Sequence, residues 1–510
     1  MATFISAKVK LAIAFICGGL ALLLAANLFL SQAPRAIQPS ASTVPTTSIS
    51  LNETQNLSAA GNEPSPKPSN PIKHVIVIFQ ENRAFDTFFG TYPGAYGIQN
   101  GTCIPINLTN SSAGCVRPFL MNSSQAVSPD FPHAYPNMVI DKNGGKMDGF
   151  ITEAQGCKSA VGYFDNRTIP YYWDYAKNFV LSDNTFQSVS SYSPANHWAL
   201  IAALSPIAGF LSGAPLNLSS PLGLRRAYVH EASSIPTLTD LMTGSNKTWK
   251  YYDKKIPLGL FNRSFDNGSV LDFWNPFEAV NASYTARLNS HFVLRGKIFS
   301  DINSSSLPNV SYVIPSAPIS DHAPANITWG MWWVASIVNS VGRSKYWNST
   351  VIIVTWDDFG GWYDGVFPPV INASTDGING TIAIGAGPRV PLLIISPYAR
   401  RGYVDHTLYT FSSIMKLIET TFNITSLNVR DKTANDMLGA LNFSQKPLAP
   451  LIEPLNLSQM AIVNKWAFTS AGDLSPAQNQ TGGCAQLALT DLISETPGTP
   501  NYGFVGYNPD

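Results

Sequence analysis

The sequence predicts an α/β protein with a mainly parallel central sheet. Short apolar runs rich in β-branched residues recur along the chain, as in Val75–Phe79 and Val351–Trp356. Stretches with helical periodicity, such as Trp329–Val341, alternate with these runs. Unbroken apolar runs are typical of strands that helices cover on both faces, which is the arrangement of parallel sheets. We therefore expect a sheet between helical layers.

The predicted elements lie between residue 71 and about residue 425, which we take as the catalytic domain. We expect strands at His74–Phe79, Asn178–Leu181, Trp249–Tyr252, Val310–Ile314, Val351–Trp356 and Pro391–Ile395. We expect helices at Pro194–Leu204, Ile235–Met242, Trp329–Val341 and Ser412–Phe422. The irregular, sequon-rich stretch from about 205 to 305 predicts an inserted cap region. Residues 426–510 carry a weaker signal and predict a C-terminal extension, either packed on the domain or folded as a small accessory unit.

The composition excludes nucleic acid as a partner. Charged residues make up 13% of the 510 residues, and 32 basic side chains balance 32 acidic ones. Binding to a phosphate backbone requires a basic patch, and the sequence contains none. The chain also has 22 Asn-x-Ser/Thr sequons, among them Asn107, Asn217 and Asn372. Sugar would replace charge as the solubilising group, so the sequence predicts a glycosylated extracellular protein.

The N-terminal segment predicts attachment to a membrane. Lys8 and Lys10 precede residues 11–30, which carry no charged side chain and are enough to span a bilayer. We expect residues 1–30 to act as an uncleaved anchor, with a cleaved signal peptide and secretion as the alternative. Residues 31–70 are rich in Pro, Ser and Thr and predict a disordered stalk. In both cases we expect the catalytic domain outside the cell.

Four of the five cysteines are expected to form disulfides. Cys17 lies inside the apolar segment, which leaves an even set of Cys103, Cys115, Cys157 and Cys484. The short separation of Cys103 and Cys115 favours a bond between them and leaves Cys157 to pair with Cys484. The sequence has no Cys-x-x-Cys spacing, which argues against a structural zinc site.

Two pairs of oxygen-bearing side chains directly follow predicted strands. Glu81 and Asn82 follow the first strand, and Asp357 and Asp358 follow a later one, just before two glycines. Adjacent carboxylates repel each other unless a cation lies between them, and glycines let the backbone approach that cation. Carboxylate and amide oxygens suit a hard divalent ion. A solvated strand end or acidic turn is the alternative for each pair.

Ser193 and two histidines are further candidates for the site. Ser193 precedes Pro194 at the start of a predicted helix, whose positive end favours an alkoxide or a bound anion. With a metal among the acidic pairs, Ser193 would be an activated nucleophile; a plain helix cap is the alternative. His133 and His322 lie in irregular loops, where each is either solvated or a donor to an anion.

Six ordered segments carry a resemblance to a known family. They are "QENRAFDTFFG" from Gln80, "NGGKMDGF", "SDNTFQSVSSYSPANH", "LPNVSYVIP" with "SDHAPAN", "WNSTVIIVTWDDFGGWYD", and "GPRVPLLIISPYARRGYVDHTLYTFSSIMKLIE". In this order they resemble the phosphoesterase family of bacterial phospholipases C and acid phosphatases, within the alkaline phosphatase-like superfamily. The resemblance covers roughly residues 71 to 425 and implies an alkaline phosphatase-like three-layer sandwich.

The resemblance implies a phosphoric ester hydrolase that uses one divalent metal ion. It places the ion among Glu81, Asn82, Asp357, Asp358 and the oxygen of Ser193. It implies that Ser193 attacks phosphorus to give a phosphoseryl intermediate, which water then hydrolyses. His133 and His322 would contact the phosphoryl oxygens.

Two positions depart from the family pattern. The family usually has Asp-Glu where this chain has Asp357-Asp358, and the shorter side chain reaches ~1.5 Å less far toward a metal. The family also tends to have Asp-His where this chain has Asp364-Gly365, so a donor that the family uses there is missing.

Three functions remain open at the level of sequence. We expect an extracellular phosphomonoesterase of the acid phosphatase type, acting on a phosphate ester. The first alternative is a phospholipase C that cleaves phosphodiester headgroups, which choline-binding aromatics such as Trp173, Trp198 and Trp362 would favour. The second alternative is a surface glycoprotein that keeps the fold without catalysis.

Overall fold

The structure is a computed structural model that describes residues 70–205, 235–253, 274–279, 288–370 and 385–469. The predicted anchor, nearly all of the predicted stalk and Cys484 lie outside these residues. Within the described ranges, no helix combines the length and the apolar character needed to cross a membrane. Cys103 and Cys115 form a disulfide. The pairing of Cys157 with Cys484 stays a prediction.

Twelve strands occur in the described residues, and eight of them form one central sheet. The strands are β1 (His74–Gln80), β2 (Ile104–Pro105), β3 (Cys115–Val116), β4 (Phe119–Leu120), β5 (Gly162–Tyr163), β6 (Val180–Ser182), β7 (Trp249–Asp253), β8 (Phe292–Leu294), β9 (Val310–Val313), β10 (Thr350–Trp356), β11 (Leu392–Ile395) and β12 (Tyr403–Asp405). β2 pairs with β3 and β4 pairs with β5 in two small separate sheets.

The central sheet is parallel except at one strand. Its spatial order is β12-β6-β11-β10-β1-β9-β7-β8. β11 runs antiparallel to both of its neighbours, and every other neighbouring pair is parallel. Because the two reversals at β11 cancel, β6 and β12 run in the same direction as β1 and β10. The carboxyl ends of β1, β6 and β10 therefore lie at one edge of the sheet, which we call the site edge.

Helices flank this sheet, which confirms the predicted α/β class. They are α1 (Phe85–Phe89), α2 (Tyr135–Lys142), α3 (Phe150–Glu153), α4 (Pro170–Asn178), α5 (Ser193–Ala202), α6 (Leu238–Gly244), α7 (Lys297–Asn303), α8 (Ile327–Gly342), α9 (Phe411–Phe422), α10 (Val429–Thr433) and α11 (Leu457–Ala467). α5 packs against α9, and α8 packs against α11.

β1 and β10 form the centre of the sheet and explain why their apolar runs are unbroken. Residues 75–79 and 351–354 are fully buried, because helices cover both faces. The parallel register aligns Gln80 with Trp356. The backbone N–H of Asp357 then donates to the Gln80 carbonyl at 3.0 Å, so Glu81 and Asp357 leave the sheet side by side.

All six predicted strands and all four predicted helices are present, with ends shifted by up to three residues. β7 and β8 fall inside residues 205–305 and belong to the central sheet. A cap formed by other residues of this stretch stays a prediction. The described part of the C-terminal extension packs on the domain. In particular, the Asn339 side chain on α8 exchanges two 2.8 Å hydrogen bonds with the backbone of Glu453.

Candidate active site

The turn after β1 presents Glu81 and Asn82 at the site edge. Asn82 adopts a left-handed backbone conformation, with φ of 53°, which asparagine tolerates better than most residues. Arg83 holds the turn: its Nη1 donates to the Asn82 carbonyl at 2.7 Å. The Arg83 guanidinium also lies 4.9 Å from the centre of the Trp362 ring. The side chains of Glu81 and Asn82 thus have a rigid support.

The turn after β10 presents Asp357 and Asp358 beside them. The backbone N–H of Asn82 donates to Asp357 Oδ1 at 2.9 Å, and the N–H of Gly360 donates to Asp358 Oδ1 at 2.8 Å. Gly360 has φ of 60°, and a Cβ there would lie 2.6 Å from the Asn82 carbonyl oxygen. Only glycine permits this close approach of the two turns.

Ser193 meets both turns from the N-terminus of α5. Its Oγ lies 3.2 Å from Glu81 Oε2, and 3.4 Å from both Asn82 Oδ1 and Asp358 Oδ2. A hydroxyl has one proton and donates to one of these oxygens at a time. The helix begins at Ser193 itself, and no side chain caps it. The alternative of a plain helix cap is therefore wrong.

His197 also belongs to this cluster, although the sequence analysis assigned it no role. Its Nε2 lies 2.8 Å from Glu81 Oε1 and 3.9 Å from Asp357 Oδ2. It follows Ser193 by four residues on α5, so both side chains lie on one face of the helix. This spacing is the signal in the sequence that would have identified it.

The cluster fits a divalent cation. Glu81, Asp357 and Asp358 are fully buried. Burial and the nearby Asp357 carboxylate raise the pKa of Glu81, and raise the pKa of Asp358, well above their usual ranges. Asp357 Oδ2 is buried and has no hydrogen-bond partner among the described residues. Glu81, His197 and Asp357 each offer a ligand atom within 4.8 Å of the others, a donor set that suits a divalent metal.

His133 joins the cluster at its more exposed side. Its Nδ1 donates to the Phe131 carbonyl at 2.6 Å, which turns Nε2 toward Asn82 Nδ2 at 3.1 Å and Asp358 Oδ2 at 3.8 Å. Burial lowers the pKa of His133, but the carboxylates of Asp358 and Asp130 outweigh it and raise that pKa above its usual value. With 14% of its side chain exposed, His133 is in place to meet an incoming anion.

His322 has contacts of a different kind. Its Nδ1 forms a hydrogen bond with the carbonyl of Ala323, and its ring centre lies 5.6 Å from that of Trp274. Within the described part of the chain, these contacts do not join it to Ser193. Its role toward a phosphoryl group stays a prediction.

A second buried ionic cluster supports the two turns. Arg389 Nε donates to Asp364 Oδ1 at 2.9 Å, and its Nη2 donates to Asp86 Oδ1 at 3.2 Å. The Gly365 N–H donates to Asp86 Oδ2 at 2.9 Å. Burial and Asp364 raise the pKa of Asp86 to about 7, although Arg389 lowers it. Gly365, where the sequence departs from the family pattern, thus contributes to this ionic cluster through its backbone N–H.

Comparison with known proteins identifies the family. The sequence profile of the Phosphoesterase family matches residues 72–425, more than half of the chain. Phospholipase C B of Mycobacterium tuberculosis is 26% identical over 436 residues, covering 76% of this chain and 81% of that protein. Non-specific phospholipase C3 of Arabidopsis thaliana is 25% identical over 415 residues, covering 73% and 74% of the two chains.

Solved structures are more distant. A Vibrio parahaemolyticus protein of the alkaline phosphatase superfamily is 9% identical, with a TM-score of 0.34, and the match covers 79% of this chain and 85% of that one. A likeness of this size carries no argument about chemistry. The sheet and its flanking helices give an α/β fold with a mainly parallel central sheet. The alkaline phosphatase-like three-layer arrangement stays a prediction. The chain belongs to the phosphoesterase family and is a phosphoric ester hydrolase.

Proposed function

We propose that this protein is a metal-dependent phosphoesterase that cleaves phosphate diesters, as a phospholipase C does, with Ser193 as its nucleophile. The observation that carries the proposal is the position of the Ser193 hydroxyl, within 3.4 Å of oxygens from Glu81, Asn82 and Asp358. The relatives named above are phospholipases C, which favours diesters over the monoesters that the sequence analysis ranked first. An extracellular location, which the sequons predict, is part of this proposal.

The residues of the cluster have distinct parts in the reaction. Attack by Ser193 forms an Oγ–P bond and breaks the P–O bond to the leaving alcohol, and water then hydrolyses the phosphoseryl intermediate. Glu81 Oε2, at 3.2 Å, accepts the hydroxyl proton. The positive N-terminus of α5 favours the negative charge that develops on Oγ. A divalent ion held by Glu81, Asn82, Asp357 and Asp358 would supply Lewis acidity.

Phosphate monoesters stay the second candidate substrate class, because the three tryptophans that would favour choline binding have other contacts. Trp198 and Trp362 are fully buried. Trp173 donates to the Phe88 carbonyl at 2.9 Å and stacks on Phe89. Because all three make these other contacts, these tryptophans give no direct support for a choline headgroup.

A paired assay tests the proposal. The full-length protein, loaded with Mn²⁺, is given p-nitrophenyl phosphate and p-nitrophenylphosphorylcholine. We expect hydrolysis of the diester to exceed that of the monoester; the reverse ranking would restore the acid phosphatase interpretation. Mass spectrometry of acid-quenched enzyme should find the phosphoryl adduct on the peptide that contains Ser193.

Two serine variants make the nucleophile assignment specific. Ser193→Ala should lower kcat by at least about a thousandfold. Ser191→Ala is the matched control, because its buried Oγ has no hydrogen-bond partner among the described residues. We expect Ser191→Ala to keep its activity. An unchanged rate in Ser193→Ala would exclude this serine as the nucleophile.

A further inference from the structure

The side chain of Gln187 holds the loop that leads to Ser193. Its Nε2 donates to the carbonyls of Val189 and Ser191, each at 2.8 Å. Gln187 is fully buried, so no water replaces these bonds at the side chain. The backbone two residues before the nucleophile is therefore fixed to this amide.

The same amide reaches the turn that carries Asp358. The backbone N–H of Phe359 donates to Gln187 Oε1 at 3.1 Å. Phe359 directly follows Asp358, whose Oδ2 lies 3.4 Å from Ser193 Oγ. One side chain of fixed length therefore spans the two segments that place the nucleophile and the carboxylate.

The chemistry of these partners requires a primary amide. Two carbonyls only accept hydrogen bonds, and a backbone N–H only donates one. The nitrogen of Gln187 must therefore face the Ser193 loop, and its oxygen must face Phe359. Glutamate lacks the donor, methionine lacks both groups, and asparagine is shorter by one carbon.

The position of Gln187 is itself constrained by Gly387. The Gln187 N–H donates to the Pro388 carbonyl at 3.2 Å, and the Gly387 N–H donates to the Gln187 carbonyl at 3.1 Å. A Cβ on Gly387 would lie 2.4 Å from Gln187 Cδ. The Gln187 amide cannot move away from its hydrogen-bond partners while Gly387 is packed against it.

Asn196 provides a contrast within the same loop. Its Oδ1 accepts from the Val189 N–H at 3.0 Å, and its Nδ2 donates to the Ser191 carbonyl at 2.8 Å. These bonds shape the loop but do not reach Asp358. We infer that Gln187 is a positioning residue that sets the separation of Ser193 from Asp358, an inference that rests on the proposed function of Ser193.

Kinetics of two variants of the full-length protein test this inference. Gln187→Met should lower kcat at least about tenfold and keep KM within about threefold, because misplacing reacting groups slows chemistry while phosphate binding at His133 persists. Gly387→Ala removes no functional group but pushes a methyl into the Gln187 side chain, and it should show the same split. If Gln187→Met does not fold, the kcat and KM of Gly387→Ala test the inference alone.

The control is Asn339→Leu, which removes a buried amide on α8 whose two hydrogen bonds go to the backbone of Glu453, outside the candidate active site. It should lower the Tm while leaving kcat unchanged. The inference is overturned if Gln187→Met keeps kcat within about twofold, or if kcat in Asn339→Leu falls as far.

A failure of the proposed function would give a different pattern. Wild-type protein would then hydrolyse neither ester, and titration of each protein with Mn²⁺ takes over as the readout. Weaker Mn²⁺ binding in Gln187→Met than in Asn339→Leu would still support the positioning of Asp358. Equal binding in the two variants would overturn it.

Discussion

The backbone N–H of Asn82 donates to Asp357 Oδ1 across 2.9 Å, and this bond joins the residues that follow two adjacent strands. β1 and β10 pair in parallel as far as Gln80 and Trp356. The Asp357 side chain thus links the two chain segments beyond the last paired residues of the sheet. One oxygen of Asp357 is fixed in place, while Oδ2 faces Glu81 and His197 without a hydrogen-bond partner among the described residues.

Asp357→Asn should abolish the stabilisation of the protein by a divalent metal. Metal at about 100 times its Kd adds about 2.7 kcal/mol to the free energy of unfolding of the wild type. The variant keeps the oxygen that accepts from Asn82 but removes one charge from a cluster of repelling carboxylates. Its metal-free form should therefore be at least as stable as metal-free wild type. Thermal unfolding of chelator-treated protein, with and without Mn²⁺, measures both effects.

The control for this variant is Asp165→Asn, because Asp165 pairs with Arg167 outside the cluster. Its response to Mn²⁺ should equal that of the wild type. A full metal response in Asp357→Asn would show that this carboxylate holds no metal.

His197→Leu should weaken Mn²⁺ binding by about 10–100-fold, the usual effect of losing a group that orients or completes a metal site. The reason is the 2.8 Å contact between His197 Nε2 and Glu81 Oε1, which fixes the carboxylate. His197→Gln keeps a donor and should recover part of the affinity. Calorimetric titration measures the three Kd values, and an unchanged Kd in His197→Leu would remove His197 from the site.

Arg389→Met should lower the free energy of unfolding by about 3–5 kcal/mol, because it leaves two buried carboxyl groups without their cation. Urea unfolding measures this loss. Adding Asp86→Asn and Asp364→Asn to the same chain should recover part of the stability. If the single variant unfolds at the same urea concentration as the wild type, Arg389 does not support the turns.

Glu419→Gln should flatten the pH dependence of stability. Burial, together with a hydrogen bond to Asp431, raises the pKa of Glu419 to about 8. The folded protein therefore keeps a proton that the unfolded chain releases near its ordinary pKa, and stability falls as pH rises between these two values. The amide stays neutral, so the variant should lose less stability than wild type between about pH 5 and about pH 8.

Urea unfolding at the two pH values measures this difference. Asp165→Asn is the control. A hydrogen bond from Arg167 lowers the pKa of Asp165, so the stability that this carboxylate adds is complete above its ordinary pKa and does not change between the two pH values. Asp165→Asn should therefore keep the pH dependence of the wild type. Equal pH dependence in Glu419→Gln and wild type would show that Glu419 titrates normally.

The sequence predicted those elements of the fold whose signal is local. The runs Val75–Phe79 and Val351–Trp356 mark strands because both of their faces are buried, so that every residue except Thr355 is apolar. β8 and β12 escaped prediction because three residues are too few to show a period; β6 is as short and was predicted only as part of the run Asn178–Leu181. The sequence predicted the strand at β7 but not its place in the central sheet, because strand order is set by contacts between residues far apart in the chain.

The sequence marks the candidate site residues only where a local pattern exists. Glu81 with Asn82, and Asp357 with Asp358, stand out as pairs, and Ser193 stands before Pro194 at the start of a predicted helix. The family resemblance then implied that Ser193 is the nucleophile. Gln187 gave no such signal, because its partners are backbone groups that only the folded chain brings together. In a sequence, a single buried amide cannot be distinguished from any other polar residue until its three hydrogen bonds are known.

The direction of β11 has a consequence for how this protein can vary. Because β11 runs against its neighbours, its beginning rather than its end lies at the site edge. Gly387 and Arg389 precede β11; Gly387 packs against Gln187, Arg389 bonds Asp364, and neither contributes a reactive group. Under the proposed function, substitutions in this segment change turnover through the position of the reacting groups, whereas changes at the ends of β1 and β10 remove the proposed metal ligands. The reversed strand thus separates the tuning of the reaction from its chemistry.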